Sequence, residues 1–242
     1  MIKYSLVIPF YNEEKNIKLV LIRLKKILKF YNKIEFIIVN NGSTDNSVYI
    51  FKKILSKYKS RNFKYVLVKK NIGYGYGIKM GLKKTVGKYL AWTHADMQTD
   101  PMDIIKGINL IKRKKINNIF IKGKRTNRKF MESIQTYCME CLCSLLLGQK
   151  LTDINAQPKI FDRKFYIKYI KKHAPNDLSL DLFTCYFAKK NTKIYEINVK
   201  FRKRFSGETK GAGEGGSVLN KFKVVAMTIK CIILLRVLSL KI

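Results

Sequence analysis

Acidic residues are scarce in this sequence of 242 residues, where 16 Asp and Glu stand against 50 Lys and Arg. The formal net charge of +34 predicts attraction to polyanions such as nucleic acid, anionic lipid or phosphorylated substrates. Long apolar runs are also missing, because no stretch approaches the ~18 uninterrupted apolar residues of a membrane-spanning helix. The sequence therefore predicts an anionic ligand or surface and no spanning helix.

Cysteine and histidine are too few and too poorly spaced to predict a zinc site. Of the five cysteines, Cys138, Cys141 and Cys143 lie within one predicted helix, and no second Cys or His pair follows at a ligand spacing. We expect reduced, buried thiols, as in the cytoplasm. Met1 leads directly into an apolar strand without a signal-peptide pattern, which also favours a cytoplasmic protein.

Short apolar segments alternate with amphipathic ones through the first half of the chain. Strands separated by helices predict an α/β fold with a mostly parallel, doubly wound, Rossmann-like sheet. The hydrophobic content of 47% and the chain length suit one domain, predicted over residues 1–217. The predicted strands are 4–9, 35–39, 63–68 and 89–93, and the predicted helices are 16–30, 47–58 and 77–85.

The second half is less regular. A glycine-rich stretch, 206–217, predicts a mobile loop. The apolar segment 218–242 carries Lys223, Lys230 and Lys241 on one helical stripe, which favours an amphipathic helix at an anionic membrane interface. The alternative is a helix packed on the sheet with its lysine stems along the surface. The remaining predicted helices are 102–114, 131–147 and 180–188, and the strands are 119–122, 159–161 and 193–201.

Polar residues follow the predicted strand 89–93 as the run His94-Ala95-Asp96-Met97-Gln98-Thr99-Asp100-Pro101. Oxygen ligands at the carboxyl end of a sheet strand stand where open α/β sheets bind ligands. Mg²⁺ or Mn²⁺ prefers such ligands and usually shares them with a substrate phosphate. The alternative is an ordinary capped loop, with Asp100 as N-cap and Pro101 in the first helical position.

Four motifs in order resemble a family 2 glycosyltransferase of the GT-A fold, and specifically the dolichyl-phosphate mannose synthase and polyprenyl-phosphate sugar transferase group. The resemblance extends over residues 1–125 and returns at 204–210. It implies a nucleotide-sugar half, 1–125, and an acceptor half with a lid loop, 126–217. The motifs are Pro9-x-Tyr11-Asn12-Glu13, Asn40 to Asp45, Asn71-x-Gly73-x-Gly75-x-Gly77, and Ala95 to Pro101.

The resemblance implies that Pro9, Tyr11, Asn12 and Glu13 hold the nucleotide. Asn41 matches the position that reads the base, and relatives usually carry Asp-Asp or Asp-Asn where this chain has Asn40 and Asn41. An amide can accept a hydrogen bond from the base and can also donate one, so the sequence leaves UDP and GDP open.

The metal motif also departs from the family pattern, because His94 replaces the first acid of Asp-x-Asp. The resemblance implies Asp96, Gln98 and His94 as ligands of a divalent cation, with imidazole favouring Mn²⁺ over Mg²⁺. The alternative is that His94, with Ala95, contacts the nucleotide, while Asp96 and Gln98 hold the cation.

Basic residues supply the other matches. Arg125, in a Gly-x-Arg sequence, corresponds to a family position near the donor or acceptor phosphate. Arg204 and Lys210 match Arg-x-x-Gly-x-(Ser/Thr)-Lys, which in the family closes over the diphosphate. Asp96, Arg125, Arg204 and Lys210 are therefore the expected catalytic residues.

The sequence thus predicts a metal-dependent, inverting transferase that uses a nucleotide-diphosphate sugar and a membrane lipid phosphate, peripherally on the cytoplasmic face. A phosphate acceptor is already an anionic nucleophile, whereas a sugar hydroxyl acceptor would need a base. Asp153, Asp177 and Asp181 are the candidate bases. A non-catalytic basic protein binding nucleic acid or an anionic surface is the other alternative, although no nucleic-acid module is visible and nucleic acid is not the expected partner.

Overall fold

A computed structural model describes residues 1–56, 61–114, 118–127, 130–204 and 217–240. Within these ranges seven strands form one sheet in the order β3-β2-β1-β4-β6-β5-β7. Only β6 runs antiparallel to its neighbours, so the mostly parallel α/β fold is confirmed. The strands are β1 (Tyr4–Phe10), β2 (Ile34–Asn41), β3 (Phe63–Val68), β4 (Tyr89–Trp92), β5 (Ile119–Thr126), β6 (Lys159–Asp162) and β7 (Lys193–Lys200).

The helices follow the predicted positions, with one addition. Arg163–Phe165 (α6), a π-helical turn at Tyr166–Ile170 and Lys171–His173 (α7) form a helical stretch that the sequence pattern did not predict. A 3-10 turn, Pro101–Asp103, precedes α4 and is capped by Asp100. The other helices are α1 (Glu14–Phe30), α2 (Ser47–Ser56), α3 (Tyr74–Leu82), α4 (Ile104–Lys114), α5 (Phe130–Leu147), α8 (Leu180–Asn191) and α9 (Val218–Ser239).

Helices cover both faces of the sheet, because successive side chains of a strand point to opposite faces. Val7 of β1 belongs to a core shared with α3, α5, α8 and α9. Its neighbours Leu6 and Ile8 belong to a second core shared with α1, α2 and α4. Both β1 and β2 are therefore buried along their whole length, and most of their residues are apolar.

The order of the strands creates a crevice at one edge of the sheet. β1 lies between β2 and β4, so the chain reverses its winding direction there and the loops after β1 and β4 diverge. Because β6 is antiparallel, its first residues lie at the same edge as the last residues of β4 and β5. The last residues of β1, β2, β4 and β5 and the first residues of β6 therefore lie around this crevice.

The C-terminal helix α9 has two different faces. Cys231, Ile232, Leu235 and Leu238 are buried in the core shared with α5 and α8. The opposite face leaves large apolar side chains exposed, among them Ile229 and Ile233. Residues 241–242, including Lys241 of the predicted stripe, lie outside the described residues.

Candidate active site

Asp96 lies at the crevice, in the loop that follows β4, and its exposed fraction is only 5%. Met97 adopts a left-handed φ of 61°, which turns the backbone so that the Gln98 N–H donates to Asp96 Oδ1 at 3.1 Å. A non-glycine residue in that region is uncommon and typical of functional loops. The local backbone thus holds one carboxylate oxygen and leaves the other, Oδ2, facing the crevice residues.

Arg204 reaches the same carboxylate from the segment that follows β7. Its Nη2 lies 3.0 Å from Asp96 Oδ2, and its Nη1 lies 3.6 Å from Oε1 of Glu13. The backbone N–H of Arg202 donates to the Gln98 carbonyl at 2.8 Å, which anchors this segment beside the loop after β4. Arg204 therefore connects the nucleotide motif to the metal motif, although the two are far apart in sequence.

Asp96 is ionised in this setting. Burial alone would raise its pKa, but contact with His94 and the charge of Arg204 outweigh burial and hold the pKa below its ordinary value. The His94 Nδ1 lies 3.7 Å from Asp96 Oδ2, and its Nε2 lies 2.9 Å from the Tyr74 hydroxyl. Each ring nitrogen of His94 thus lies beside a polar side chain, Asp96 on one side and Tyr74 on the other.

The nucleotide motif is tied to the loop after β2. Asn12, with a φ of 54°, accepts from the Thr44 N–H at 2.9 Å, and its own N–H donates to Ser43 Oγ. Glu13, at the start of α1, accepts from Asn16 Nδ2 at 2.5 Å. Asn12 therefore binds the neighbouring loop and does not cap α1.

Of the other predicted nucleotide-binding residues, Pro9 and Ala95 are buried and Tyr11 is half-buried at the crevice.

Asn41 is buried at the end of β2 with one unused acceptor. Its Nδ2 donates to the Gly73 carbonyl at 3.1 Å, whereas its Oδ1 has no hydrogen-bond partner among the described residues. A Cβ on Gly77 would stand 2.8 Å from Asn41 Cγ, so only glycine leaves room for this side chain. Because buried acceptors are nearly always paired, this oxygen is suited to a ligand N–H.

Arg125 lies at the end of β5 and is engaged by Asp153. Its Nε and Nη2 both lie 2.6 Å from Asp153 Oδ1, and its guanidinium stacks 5.2 Å from the Phe201 ring centroid. Burial would raise the pKa of Asp153, but the Arg125 charge holds it below its ordinary value. The structure thus places Arg125 at the expected edge of the sheet. There it forms an ion pair with Asp153 and does not lie beside Asp96.

Residues 5–177 match the model of the family described as Glycosyl transferase family 2. The chain belongs to glycosyl transferase family 2. Among curated relatives, the dodecaprenyl-phosphate galacturonate synthase of Rhizobium johnstonii is 28% identical over 174 residues, which cover 70% of this chain and 50% of that protein. The dolichyl-phosphate beta-glucosyltransferase of Dictyostelium discoideum is 25% identical over 81% of this chain and 65% of that protein. The chain therefore spans half to two thirds of the length of these relatives.

Solved structures of low sequence identity share the fold. Glucosyl-3-phosphoglycerate synthase from Mycobacterium tuberculosis, in complex with Mn²⁺, uridine-diphosphate and phosphoglyceric acid, has a TM-score of 0.68 at 16% identity. The match covers 95% of this chain and 78% of that one. The GT-A architecture expected for a family 2 glycosyltransferase is thus confirmed.

The structure also brings together beside His94 a set of buried polar side chains that the sequence analysis did not connect with it. Tyr74, Gln157 and Asp181 form a buried hydrogen-bonded group next to His94. The sequence signal for this buried polar group was Lys159, which directly precedes the apolar residues of β6. A lysine that is buried in a sheet needs polar partners. Lys210 lies outside the described residues, so its expected role stays a prediction.

Proposed function

We propose that this chain transfers a sugar, with inversion, from a nucleotide-diphosphate sugar to a membrane polyprenyl phosphate, with a divalent cation bound at Asp96. The observation that carries this proposal is the buried, ionised Asp96 at the reversal point of the sheet, beside Glu13 and Arg204. The names of two relatives, a dodecaprenyl-phosphate synthase and a dolichyl-phosphate transferase, support the acceptor class.

The donor site is assigned to three groups on this edge of the sheet. The unused Oδ1 of Asn41 would accept an N–H of the base. The start of α1, a helix of 17 residues, would place a positive dipole end near the diphosphate. Arg204 would leave Asp96 and bind phosphate oxygens, because guanidinium groups pair well with them.

The residues at Asp96 fit a cation that is shared with the substrate. No group of three His, Cys, Asp or Glu side chains within the described ranges could hold a metal alone. One ionised carboxylate, with His94 and Gln98 beside it, suits Mg²⁺ or Mn²⁺, since these ions often complete their coordination with substrate phosphates. A bound cation would neutralise charge on the leaving diphosphate.

The candidate bases are already engaged, which favours a phosphate acceptor over a sugar hydroxyl. Asp153 pairs with Arg125, and Asp177 accepts from the backbone N–H and the hydroxyl of Ser179. Asp181 accepts from Gln157 and lies 3.5 Å from the Lys159 ammonium. A phosphate oxygen attacks without transferring a proton, so none of these carboxylates would need to act.

Two helices supply the surface that we assign to the membrane. In the described part of the chain no helix is long and apolar enough to cross a bilayer. α5 and α9 pack against each other and leave apolar side chains exposed on both helices. Lys223 and Lys230 are exposed along α9, so an anionic leaflet complements the surface, and we place it at the cytoplasmic face. The exposed apolar side chains are Tyr137, Leu142, Leu145, Phe222, Val225, Ile229 and Ile233.

We expect the double variant Ile229→Gln/Ile233→Gln to bind anionic vesicles roughly 30-fold more weakly. These side chains are 47% and 60% exposed, and loss of about 2 kcal/mol of apolar insertion corresponds to that factor. Leu67→Gln/Val86→Gln is the matched control, because those side chains are 59% and 60% exposed on other elements. Vesicle co-sedimentation measures both, and equal weakening of the two variants would refute this surface.

The proposed reaction is tested directly by incubating the protein with labelled UDP- and GDP-sugars, Mn²⁺ and polyprenyl phosphate in vesicles. We expect a labelled lipid product that needs both Mn²⁺ and the lipid phosphate. A product formed equally well on a sugar hydroxyl acceptor would overturn the acceptor assignment. A product formed at the same rate in excess EDTA would overturn the cation assignment.

The variant His94→Asp should shift the metal preference from Mn²⁺ towards Mg²⁺, because a hard carboxylate replaces an imidazole. The measurement is the ratio of turnover with Mg²⁺ to turnover with Mn²⁺ in titrations of the two ions. A ratio identical to that of the unmodified protein would place His94 outside the coordination sphere.

A further inference from the structure

A basic cleft opens beside β5 and β7, on the face of the sheet that α8 covers. Its volume is about 370 Å³, which lies within the range of small-ligand sites, and its basic lining residues are Lys122, Lys150 and Lys189. We propose that this cleft binds the phosphate group of an anionic membrane lipid. The inference rests on the membrane surface assigned above to α5 and α9, and it adds to that surface a fixed site for one lipid headgroup.

The cleft is separate from the crevice that holds Asp96. Lys122 precedes Arg125 by three residues in β5, which corresponds to about 10 Å along a strand. None of the nine residues that line the cleft belongs to the nucleotide motif, the metal motif or the candidate bases. A ligand bound here would therefore leave the proposed donor site accessible.

Lys122 is buried in the wall of the cleft, with a side chain that is only 3% exposed. Its ammonium lies 2.7 Å from Glu196 Oε1, but this ion pair lacks hydrogen-bond geometry, and the ammonium has no hydrogen-bond partner among the described residues. An ammonium carries three N–H donors, and burial of a charge without hydrogen bonds is costly. Oxygen atoms of a ligand in the cleft would supply the missing acceptors.

The neighbouring lysine on β6 shows the contrast with a satisfied ammonium. Lys159 pairs with Lys122 in the register of the sheet and is fully buried. Its ammonium donates to the carbonyls of Ile154 and Ala156 at 2.6 and 2.7 Å. Two buried lysines thus lie side by side, and the fold provides hydrogen-bond acceptors for Lys159 but not for Lys122.

Positive charge exceeds negative charge around the cleft. Of the described residues that line it, Glu196 is the one acid, and its carboxylate is shared between Lys122 at 2.7 Å and Lys124 at 3.9 Å. Lys150 and Lys189 are exposed and form no ion pair within the described part of the chain. A phosphate group, which is anionic and has several acceptor oxygens, complements such a set of ammonium groups.

The end of α5 brings an apolar surface to the cleft. The loop after α5 folds back on the helix, because the Leu151 N–H donates to Ser144 Oγ at 2.9 Å. This bond holds Lys150 next to the last turn of α5, where Leu145 is 81% exposed. A lysine beside a large exposed apolar side chain is typical of a protein surface that binds an anionic membrane.

The ends of α8 and α9 meet α5 at the same place. Arg236 of α9 donates to the Leu146 carbonyl at 2.7 Å, and Lys190 of α8 donates to the Ser239 carbonyl at 3.4 Å. Because Lys189 is the neighbour of Lys190, the apolar surface of α5 and α9 extends to the side of the cleft that Lys189 lines. A lipid with its acyl chains against that surface would place its phosphate among the ammonium groups, which favours a lipid phosphate over a soluble one.

NMR titration with dihexanoyl phosphatidate, kept below its critical micelle concentration, tests the site. We expect saturable shifts of the backbone amides at 150–152 and 189, and no comparable shifts with dihexanoyl phosphatidylcholine, whose headgroup has no net charge. Lys150→Gln/Lys189→Gln should weaken binding about 30-fold, the effect of two lysines at an anionic lipid surface. Lys26→Gln/Lys29→Gln is the matched control, because it removes two exposed lysines from α1 on the opposite face of the sheet.

Lys122→Met tests the buried ammonium itself. It should weaken phosphatidate binding at least tenfold, since the donor that lacks a partner is lost, while Glu196 retains Lys124 nearby. Thermal unfolding checks that the variant folds. If it does not fold, the exposed pair Lys150→Gln/Lys189→Gln decides the question, because neither side chain is part of the core.

The results that would overturn the inference are distinguishable. Absence of saturable shifts with phosphatidate, or equal weakening in the Lys26→Gln/Lys29→Gln control, would remove the site and leave only the general positive field of the chain. Inorganic phosphate that binds the cleft as tightly as phosphatidate would replace the lipid by a soluble anion. In each case sugar transfer to polyprenyl phosphate would be unaffected, because the cleft lies outside the groups assigned to donor and cation.

Discussion

Asp96→Ala should reduce sugar transfer by about 1,000-fold while leaving the fold intact. The Asp96 carboxylate lies beside both His94 and Arg204, and it is the proposed protein ligand of the cation. Loss of about 4 kcal/mol of charge stabilisation at the leaving diphosphate corresponds to that factor. Folding should be largely unaffected, because Arg204 retains Glu13 as a partner.

The matched control for Asp96→Ala is Asp100→Ala in the same loop. Asp100 caps the 3-10 turn by accepting from the Met102 N–H at 3.0 Å and pairs with Arg23. Its removal should cost about 1 kcal/mol of stability and little turnover. Single-turnover assays and thermal unfolding separate the two effects. Turnover of Asp96→Ala within a few-fold of the unmodified protein at saturating Mn²⁺ would exclude Asp96 from the chemistry.

The sheet and the loops at its edge could be predicted because their signals are local. Apolar strands such as β1 and β2 end abruptly in polar residues, and the carboxyl ends of parallel strands share one edge of the sheet. That reasoning placed Asp96 at the crevice, whereas Asn41 was assigned through the family resemblance. The cap at Asp100 followed from the Asp-Pro sequence alone.

The contacts that set the chemistry could not be predicted, because they join residues distant in sequence. Asp153 pairs with Arg125 across 28 positions, so the predicted phosphate ligand lies in a partly buried ion pair. Arg204 meets Asp96 across 108 positions. Tertiary packing alone decides such pairs, and no periodicity or spacing encodes them. The same holds for α9, whose burial depends on the positions of α5 and α8.

Arg204→Ala should have two opposite effects. In the structure the guanidinium lies 3.0 Å from Asp96 Oδ2, so it competes with a cation for that oxygen when no donor is bound. Its removal should therefore tighten Mn²⁺ binding in the absence of nucleotide by about tenfold, since a hydrogen bond to a charged group is worth about 1.5 kcal/mol. Turnover should nevertheless fall about 100-fold, because a donor of charge-assisted bonds to the leaving diphosphate is lost.

The two effects of Arg204→Ala are measured separately, by Mn²⁺ electron spin resonance titration without nucleotide and by single-turnover transfer with it. Lys203→Ala is the control, because it removes a neighbouring positive charge that is exposed to solvent. If Arg204 acts mainly as the diphosphate leaves, kcat should fall more than donor affinity. Weaker Mn²⁺ binding in Arg204→Ala would show that the guanidinium supports the cation site and does not compete for it. Equal losses of turnover in both variants would mean that only the general positive field of the chain acts on the donor.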